Sequence, residues 1–341
     1  MKRKSVTSRD VARLAGVSQS AVSRTFSSNA RVSETTRRKV MEASRELGYR
    51  PNTIARSLIT RSSRTIAVVT YSLENPFYSA MLEKASRFFQ AQGYHLLMFF
   101  APPSGDFDPV LDDIIRSQVE GVLMLAITMN RQQAKLVDDF GIPVVIINRT
   151  VDYAGISQVG SDNLQGGYWA GRYLASLGHQ QIAFLGGLPD SSTHQQRQTG
   201  FIQGLSSMGQ VCAAIDIGNY RYEDASQAVR RLFSLPTPPD ALFAANDLMA
   251  LAAMDVLRHE FSLEVPDDVS IIGFDDVPMA AWPSHSLTTV KQPVDMMIQK
   301  ATELLMKQVA QEDMPPEHLI LPVTPMLRGS TRRKTDQDNA I

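Results

Sequence analysis

Cysteine is almost missing from the 341-residue chain: Cys212 stands alone, so no intramolecular disulfide and no cysteine-rich zinc site can form. Long apolar runs are missing too. TIAVVTY and VEGVLMLAI fall far short of the roughly 20 residues that span a bilayer. The opening MKRKSVTSRDVARLAG is charged and has neither an apolar core nor a small-residue cleavage site behind it. A secretory signal and a membrane partner are therefore not expected, and a cytoplasmic protein is. The six histidines fall in separate segments without metal-ligand spacing, so neither a metal nor another cofactor is expected. No Ser-His-Asp or Cys-His arrangement can be argued from spacing, and GLPDSS lacks the glycines and the lysine of a phosphate loop. The chain is expected not to be an enzyme.

What is present is a charge asymmetry hidden by the net charge of −1. The first 64 residues carry 15 Lys and Arg against 4 Asp and Glu, leaving 19 basic and 31 acidic residues for the remainder. A basic front end on an acidic body points to a polyanionic partner for that end. The front end is also patterned like a fold. VTSRDVARLAGVSQSAVSRTFS predicts two short helices joined at Gly16, the first started by Thr7 and Asp10, the second capped by Ser18. Val11, Ala12, Leu14 and Ala15 form one apolar face, and Ala21, Val22 and Phe26 the other. A third helix is capped by Ser33, carries Val40, Ala43, Ser44 and Leu47 on one side, and stops at Gly48. This is a helix-turn-helix with a supporting helix.

In such a unit the start of the second helix reaches base edges in the major groove. Those residues are Gln19 and Ser20, with Ser23 and Arg24 one turn later; Gln pairs bidentately with adenine, and Arg with guanine. Thr7, Ser18, Ser33 and Thr36 sit at helix starts, where a hydroxyl serves equally as a cap or as a phosphate contact.

From residue 64 short apolar strands (TIAVVTY, YHLLMFF, GVLMLAI, IPVVIINR) alternate with helical stretches, and after GISQVGSDN the alternation restarts with QIAFLGG, DALFAAN and DVSIIGF. Two halves of parallel sheet with crossover helices follow. Ligands of open α/β sheets sit at the carboxyl ends of the strands, and polar residues gather there: ENPFY, Asn148-Arg149, Asn246-Asp247 and Asp275-Asp276.

The segments TSRDVARLAGVSQSAVSRTF and RVSETTRRKVMEASRELGYRPNTIARSL resemble the headpiece of the lactose-repressor/galactose-repressor (LacI/GalR) family of bacterial transcription regulators, and the resemblance continues almost to the C-terminus. Ala21 departs from the Thr that many members carry. The resemblance implies an all-α helix-turn-helix headpiece joined to an α/β two-lobed, periplasmic-binding-protein-like sensor domain. It implies a headpiece over 1–50 and a hinge helix and linker over 51–63. The first lobe is implied over 64–161 with 292–321, the second over 162–291 with 322–332, and a polar tail over 333–341. It places Asn52, Ala55 and Leu58 on DNA, with Leu58 wedged between base pairs. It implies an effector site between the lobes with Phe77, Asn148, Arg149, Arg197, Asn246, Asp275 and Trp282 as contacts, although Asn75 and Asp162 can equally be plain helix caps, and Phe77 and Trp282 core.

The function expected is a sequence-specific regulator, a repressor, controlled by a small-molecule effector of the sugar or sugar-acid class. Its partners would be double-stranded DNA with a near-palindromic operator and a second copy of the chain. RRKTDQDNAI lacks the heptads of a tetramer helix, which favours a homodimer. Control by a protein co-effector, or a sugar-binding protein without a regulatory role, are the alternative readings.

Overall fold

A computed structural model of the chain describes residues 6–26, 32–50, 62–101, 108–311 and 314–332. It divides into two units, Met1–Ser63 and Arg64–Ile341.

The first unit contains α1 (Ser8–Ala15), α2 (Gln19–Thr25) and α3 (Glu34–Leu47). The Thr7 amide and hydroxyl both donate to the Asp10 carboxylate, at 3.0 and 2.7 Å, which fixes the start of α1. Gly16, with φ of 63°, closes the helix in the left-handed conformation that glycine adopts without a Cβ clash. Ser18 Oγ accepts the Ala21 amide at 3.2 Å and starts α2. Ser33 Oγ accepts the Thr36 amide at 3.3 Å and starts α3, which Gly48 ends with φ of 64°. Val11, Ala12, Ala15, Val22, Val40 and Ala43 form the core, closed on one side by Phe26 against Tyr49 with ring centroids 6.0 Å apart. Leu14, expected on the apolar face, is 47% exposed. At 100° per residue it lies about 60° outside the arc set by Val11, Ala15 and Ala12, so its side chain turns to solvent.

The second unit holds two six-stranded sheets. The first sheet takes β1 (Thr65–Thr70), β2 (His95–Phe100), β3 (Gly121–Leu125), β4 (Val144–Ile147), β5 (Ser157–Ser161) and β11 (His318–Leu321), in the order β11-β5-β4-β3-β1-β2, all parallel. The second takes β6 (Ile182–Gly186), β7 (Ala214–Ile217), β8 (Ala241–Ala244), β9 (Ser270–Asp275), β10 (Thr288–Lys291) and β12 (Thr324–Met326), in the order β12-β10-β9-β8-β6-β7. Only β12 runs antiparallel, along β10. The chain therefore passes between the sheets three times: after β5, after β10 and between β11 and β12.

Helices α4 (Pro76–Ala91), α5 (Asp108–Arg116) and α6 (Arg131–Asp139) belong to the first lobe. The second lobe has α7 (Asn163–Ser176), α8 (Ser192–Ser206), α9 (Tyr222–Phe233) and α10 (Asp247–Glu260). The last helix, α11 (Val294–Val309), follows the second lobe in sequence but packs on α4, β3, β4 and β5 of the first. Both faces of the first sheet are covered: Ile66 and Val68 of β1 point into one apolar cluster, Ala67 and Val69 into another. Near-continuous apolar strands are the consequence, which is why β1, β3 and β4 were readable. The strands β10 and β12 have too little apolar character to be read from the sequence, and β7 and β11 are apolar segments of only four residues, too short to stand out.

Candidate functional site

On the first unit, α2 presents Gln19, Ser20, Ser23 and Arg24 as exposed side chains on one helix. Gln19 Nε2 donates to Ser8 Oγ at 3.0 Å, so the ends of α1 and α2 are tied together on that face. Arg24 Nε donates to the Ser20 carbonyl at 3.3 Å, and the Ser18 and Ser20 hydroxyls lie 2.9 Å apart. Thr7, Ser18 and Ser33 are exposed while occupied with their caps, and the Thr36 hydroxyl accepts from Ser33 at 2.8 Å. The face thus offers amide, hydroxyl and guanidinium donors within two turns, the set that reads base edges and phosphates. Asn52, Ala55 and Leu58 lie outside the described residues.

In the second unit a cleft of about 970 Å³ opens at the carboxyl ends of strands from both sheets. Tyr71, Glu74 and Tyr78 follow β1, Thr128 and Asn130 follow β3, and Arg149 follows β4; Leu188 follows β6, and Asn219 and Tyr220 follow β7. The backbone is strained at these strand ends. Ala126, Asn148, Asn219 and Tyr220 have φ of 57°, 76°, 52° and 60°. Non-glycine residues hold such angles only where the surroundings over-determine them.

Arg149 is buried. Its guanidinium lies 5.1 Å from the Tyr71 ring centroid and 5.8 Å from that of Tyr220, and Nη1 donates to the Thr128 hydroxyl. Nε and Nη2 have no partner, and neither has Oδ1 of the adjoining buried Asn148, whose Nδ2 donates to the Tyr78 hydroxyl at 3.2 Å. Burial raises the phenol pKa of Tyr78, and of Tyr71 against the pull of the Arg149 cation.

A second polar layer is buried behind the cleft and reaches its lining through Asn75. Arg197 on α8 lies 3.7 Å from the Phe274 ring centroid, donates from Nε to Asn163 at 2.8 Å and from Nη1 to the Ala245 carbonyl, and stands 3.7 Å from Asp275. Asp275 accepts from Gln292 at 2.6 Å and, across the lobes, from Asn75 at 3.1 Å. Gln292 in turn accepts from Ser161, so the two first crossings and both lobes meet on one carboxylate. Burial holds the Asp275 pKa above the usual carboxylate range, opposed by Arg197, Asn75 and Gln292. Asp247, wholly buried beneath it, is raised by burial and by the Asp275 charge, while Thr289 at 2.5 Å and the Val277 amide at 2.8 Å donate to it.

Of the residues expected at the effector, the structure puts Arg149 on the cleft wall and Asn148, Arg197 and Asp275 in the layers just described. Asn246 Oδ1 caps α10 through the Met249 amide at 3.0 Å, and its Nδ2 has no partner. Phe77 is buried in the core against Tyr78, with ring centroids 5.4 Å apart. Trp282 stands apart: it is 53% exposed after a short 3₁₀ turn, and its ring neighbour is His285 at 6.2 Å. Asn75 and Asp162 do cap their helices, accepting the Phe77 and Gln165 amides at 3.0 and 2.9 Å, and Asn75 bridges the lobes as well. Sequence reasoning missed Tyr71, Tyr78, Thr128, Gln292 and Tyr220. The ends of TIAVVTY and ENPFY carried a signal for Tyr71 and Tyr78; Tyr220 follows β7, a strand that was not readable.

Comparison with known proteins agrees with both units. Residues 7–52 match the family described as bacterial regulatory proteins, lacI family, and residues 172–331 match a periplasmic binding protein-like domain. The HTH-type transcriptional repressor PurR of Aliivibrio salmonicida is 33% identical over 89% of this chain and 92% of its own length. The ribose operon repressor of Escherichia coli is 31% identical over 95% and 99%. Among solved structures, the lac repressor dimer bound to operator and the anti-inducer ONPF superposes with a TM-score of 0.86 at 27% identity, covering 97% of this chain and 100% of that one. The transcriptional regulator CelR in complex with cellobiose gives 0.73 at 30% identity, covering 95% and 99%. A helix-turn-helix with an exposed second helix on one unit, a strand-end cleft on the other and full-length similarity to repressors lead to one assignment: the chain belongs to the lacI family of bacterial regulatory proteins, DNA-binding transcriptional regulators controlled by effectors.

Proposed function

We propose that this regulator is a cytoplasmic homodimeric repressor that acts by binding rather than catalysis, and that its effector is a small polyhydroxylated molecule of the sugar or sugar-acid class. The observation that carries the reading is the Asn75–Asp275 contact of 3.1 Å between the lobes, beside a cleft whose wall holds the buried, unpartnered donors of Arg149. Hydroxyl groups supply complementary donors and acceptors to such a wall, and aromatic rings such as Tyr71 and Tyr220 cover apolar sugar faces. The lobe bounds proposed, 64–161 with 292–321 and 162–291 with 322–332, are supported by the pairing of β11 with β5 and of β12 with β10.

Gln19, Ser20, Ser23 and Arg24 read the half-site, with Thr7, Ser18, Ser33 and Thr36 on phosphates and Asn52, Ala55 and Leu58 at the hinge. One headpiece covers one half-site, so affinity requires two copies about a two-fold axis. The effector changes operator affinity only through its differential affinity for the two lobe arrangements. The similarity to PurR, CelR and the ribose operon repressor supports this reading. A thermal-shift screen of sugars and sugar acids on the full chain tests it, repeated with Arg197→Ala and Asp275→Ala. A hit should stabilise the parent and lose most of its effect on both variants, and should alter operator binding in an anisotropy assay. A ligand that stabilises both variants as much as the parent overturns the site assignment.

A further inference from the structure

Two buried arginines stand in the effector region, and their electrostatic surroundings differ. Arg197 is compensated by Asp275 at 3.7 Å and has protein acceptors for Nε and Nη1. Arg149 is 2% exposed, and among the described residues no carboxylate comes within 4.0 Å of it. The acids that share its cleft are engaged or remote. Glu74 accepts from the Tyr222 amide at 3.2 Å and lies 3.9 Å from Arg221, Asp224 accepts from Asn219 at 3.0 Å, and Asp190 is exposed at the rim. The hydrogen bond from Nη1 goes to Thr128; the Tyr71 phenol lies close enough to interact with the guanidinium, but no acceptor meets Nε or Nη2 with hydrogen-bond geometry. Those two nitrogens are one edge of the guanidinium fork, the edge that meets two oxygens of a carboxylate or phosphate side-on.

The faces of Tyr71 and Tyr220 attract the charge but accept no in-plane N–H bond. A buried cation with neither counter-charge nor full hydrogen bonding is strongly unfavourable, and natural cores rarely keep one without a use. Tyr220 comes from the second lobe and shares a 2.9 Å hydrogen bond with Thr193, so a group held at Arg149 is met from both lobes.

We infer that Arg149 is the counter-charge for an anionic group on the effector, which makes the ligand class an acidic hydroxylated metabolite, a sugar acid or sugar phosphate, and not a neutral sugar. This rests on the reading of the cleft as the effector site.

The test uses the full chain, calorimetric titration and matched probes: D-glucose, D-gluconate, D-glucuronate and D-glucose 6-phosphate, with D-galactose and D-galacturonate as a second set. At least one acid binds at least about 10-fold more tightly than its neutral partner, and the carboxylate and phosphate arms show which anion fits. Arg149→Gln weakens that acid about 100-fold while changing a neutral sugar less than about 3-fold. Arg149→Met, without ligand, melts at the parent temperature or above it, because it removes an uncompensated charge. A neutral sugar that binds parent and Arg149→Gln alike, more tightly than its acids, overturns the inference and leaves the effector cleft standing. Binding by no probe removes both readings. A drop in the melting temperature of Arg149→Met by more than about 3 °C overturns the inference as well, since Arg149 would then be a structural latch between the tyrosines.

Discussion

Replacing Gly200 by Ala is a severe test of how the second lobe positions Arg197. Helices α7 and α8 touch along a line where glycines face backbone: Gly167 against the Arg197 carbonyl, Gly171 against that of Phe201, Gly200 against that of Leu164, and Gly204 against that of Tyr168. A Cβ at Gly200 would overlap the Leu164 carbonyl oxygen and come within 2.9 Å of both the Leu164 carbonyl carbon and the Tyr168 nitrogen. No rotamer change relieves contacts with main chain, so the helices must separate. Helix propensity favours Ala over Gly by about 0.8–1.0 kcal/mol. Overpacking costs about 1–3 kcal/mol when side chains can yield, and a backbone obstacle puts this site at the upper end. The expected net loss is about 2 kcal/mol, or about 4–6 °C in melting temperature for a unit of this size. Separation also strains the 2.8 Å bond from Arg197 on α8 to Asn163 on α7, so effector-induced stabilisation falls with it. Gly209→Ala is the control: that residue has φ of +71° and no atom within 4 Å of a Cβ, so it costs backbone strain without touching the effector response. Thermal melts followed by circular dichroism, with and without effector, decide the matter. A Gly200→Ala protein as stable as the parent, or more so, refutes the close-packing argument.

Gln19→Ala or Arg24→Ala should change base preference in operator selection, each lost contact costing about 1–3 kcal/mol; unchanged selection would count against α2 as the reading helix. Leu58→Ser, outside the described residues, should weaken operator binding and reduce bending in a permutation gel while leaving half-site preference alone. Asn75→Ala removes one of two side-chain hydrogen bonds on Asp275 together with the cap of α4, so it should lower stability by about 1 kcal/mol, and Asn75→Asp, which keeps the cap but loses the donor, should lower effector affinity as well, as titration and melting would show. The pH dependence of Asp247 has a definite sign. Its folded pKa is raised, so its ionisation above the unfolded value weakens the fold as pH increases. The stability of Asp247→Asn relative to the parent should therefore grow between pH 4 and pH 8 in urea titrations, and a difference shrinking over that range would contradict it.

The headpiece was legible because its punctuation is chemical: Thr7 with Asp10, Ser18 and Ser33 as caps, Gly16 and Gly48 as stops, each found in the geometry those residues impose. The buried strands β1, β3, β4, β6, β8 and β9 were legible as continuous apolar runs. Of the edge strands, β2 was legible in YHLLMFF, whereas β7 and β11 were not, because each is only four residues long with its polar residue and partly exposed positions breaking the run. The site was legible only by position at strand ends. Sequence put Arg149 and Arg197 in one class, and tertiary contacts separate them: Asp275, 78 residues further on, neutralises one and nothing described neutralises the other. Trp282 shows the converse, an aromatic at a plausible place whose ring faces solvent. The glycine line between α7 and α8 was invisible too, since GG and G at helix spacing read as weak helix, not as an interface.

The placement of α11 has a consequence for how the protein is made. When Ser161 leaves the ribosome, five strands of the first sheet exist, yet the helix that covers β3, β4 and β5 and the edge strand β11 are still untranslated. At about 5–20 residues per second, Val309 follows roughly 7–30 s later, after β6 to β10 of the second lobe have been synthesised. During that interval the nascent chain exposes an apolar sheet face that only the C-terminal part of the same polypeptide can cover. Truncation before α11, or slow translation through β6 to β10, should therefore deliver the chain to chaperones or aggregates, and the first lobe, although encoded first, is not complete until β11 has been made, only just before β12 completes the second.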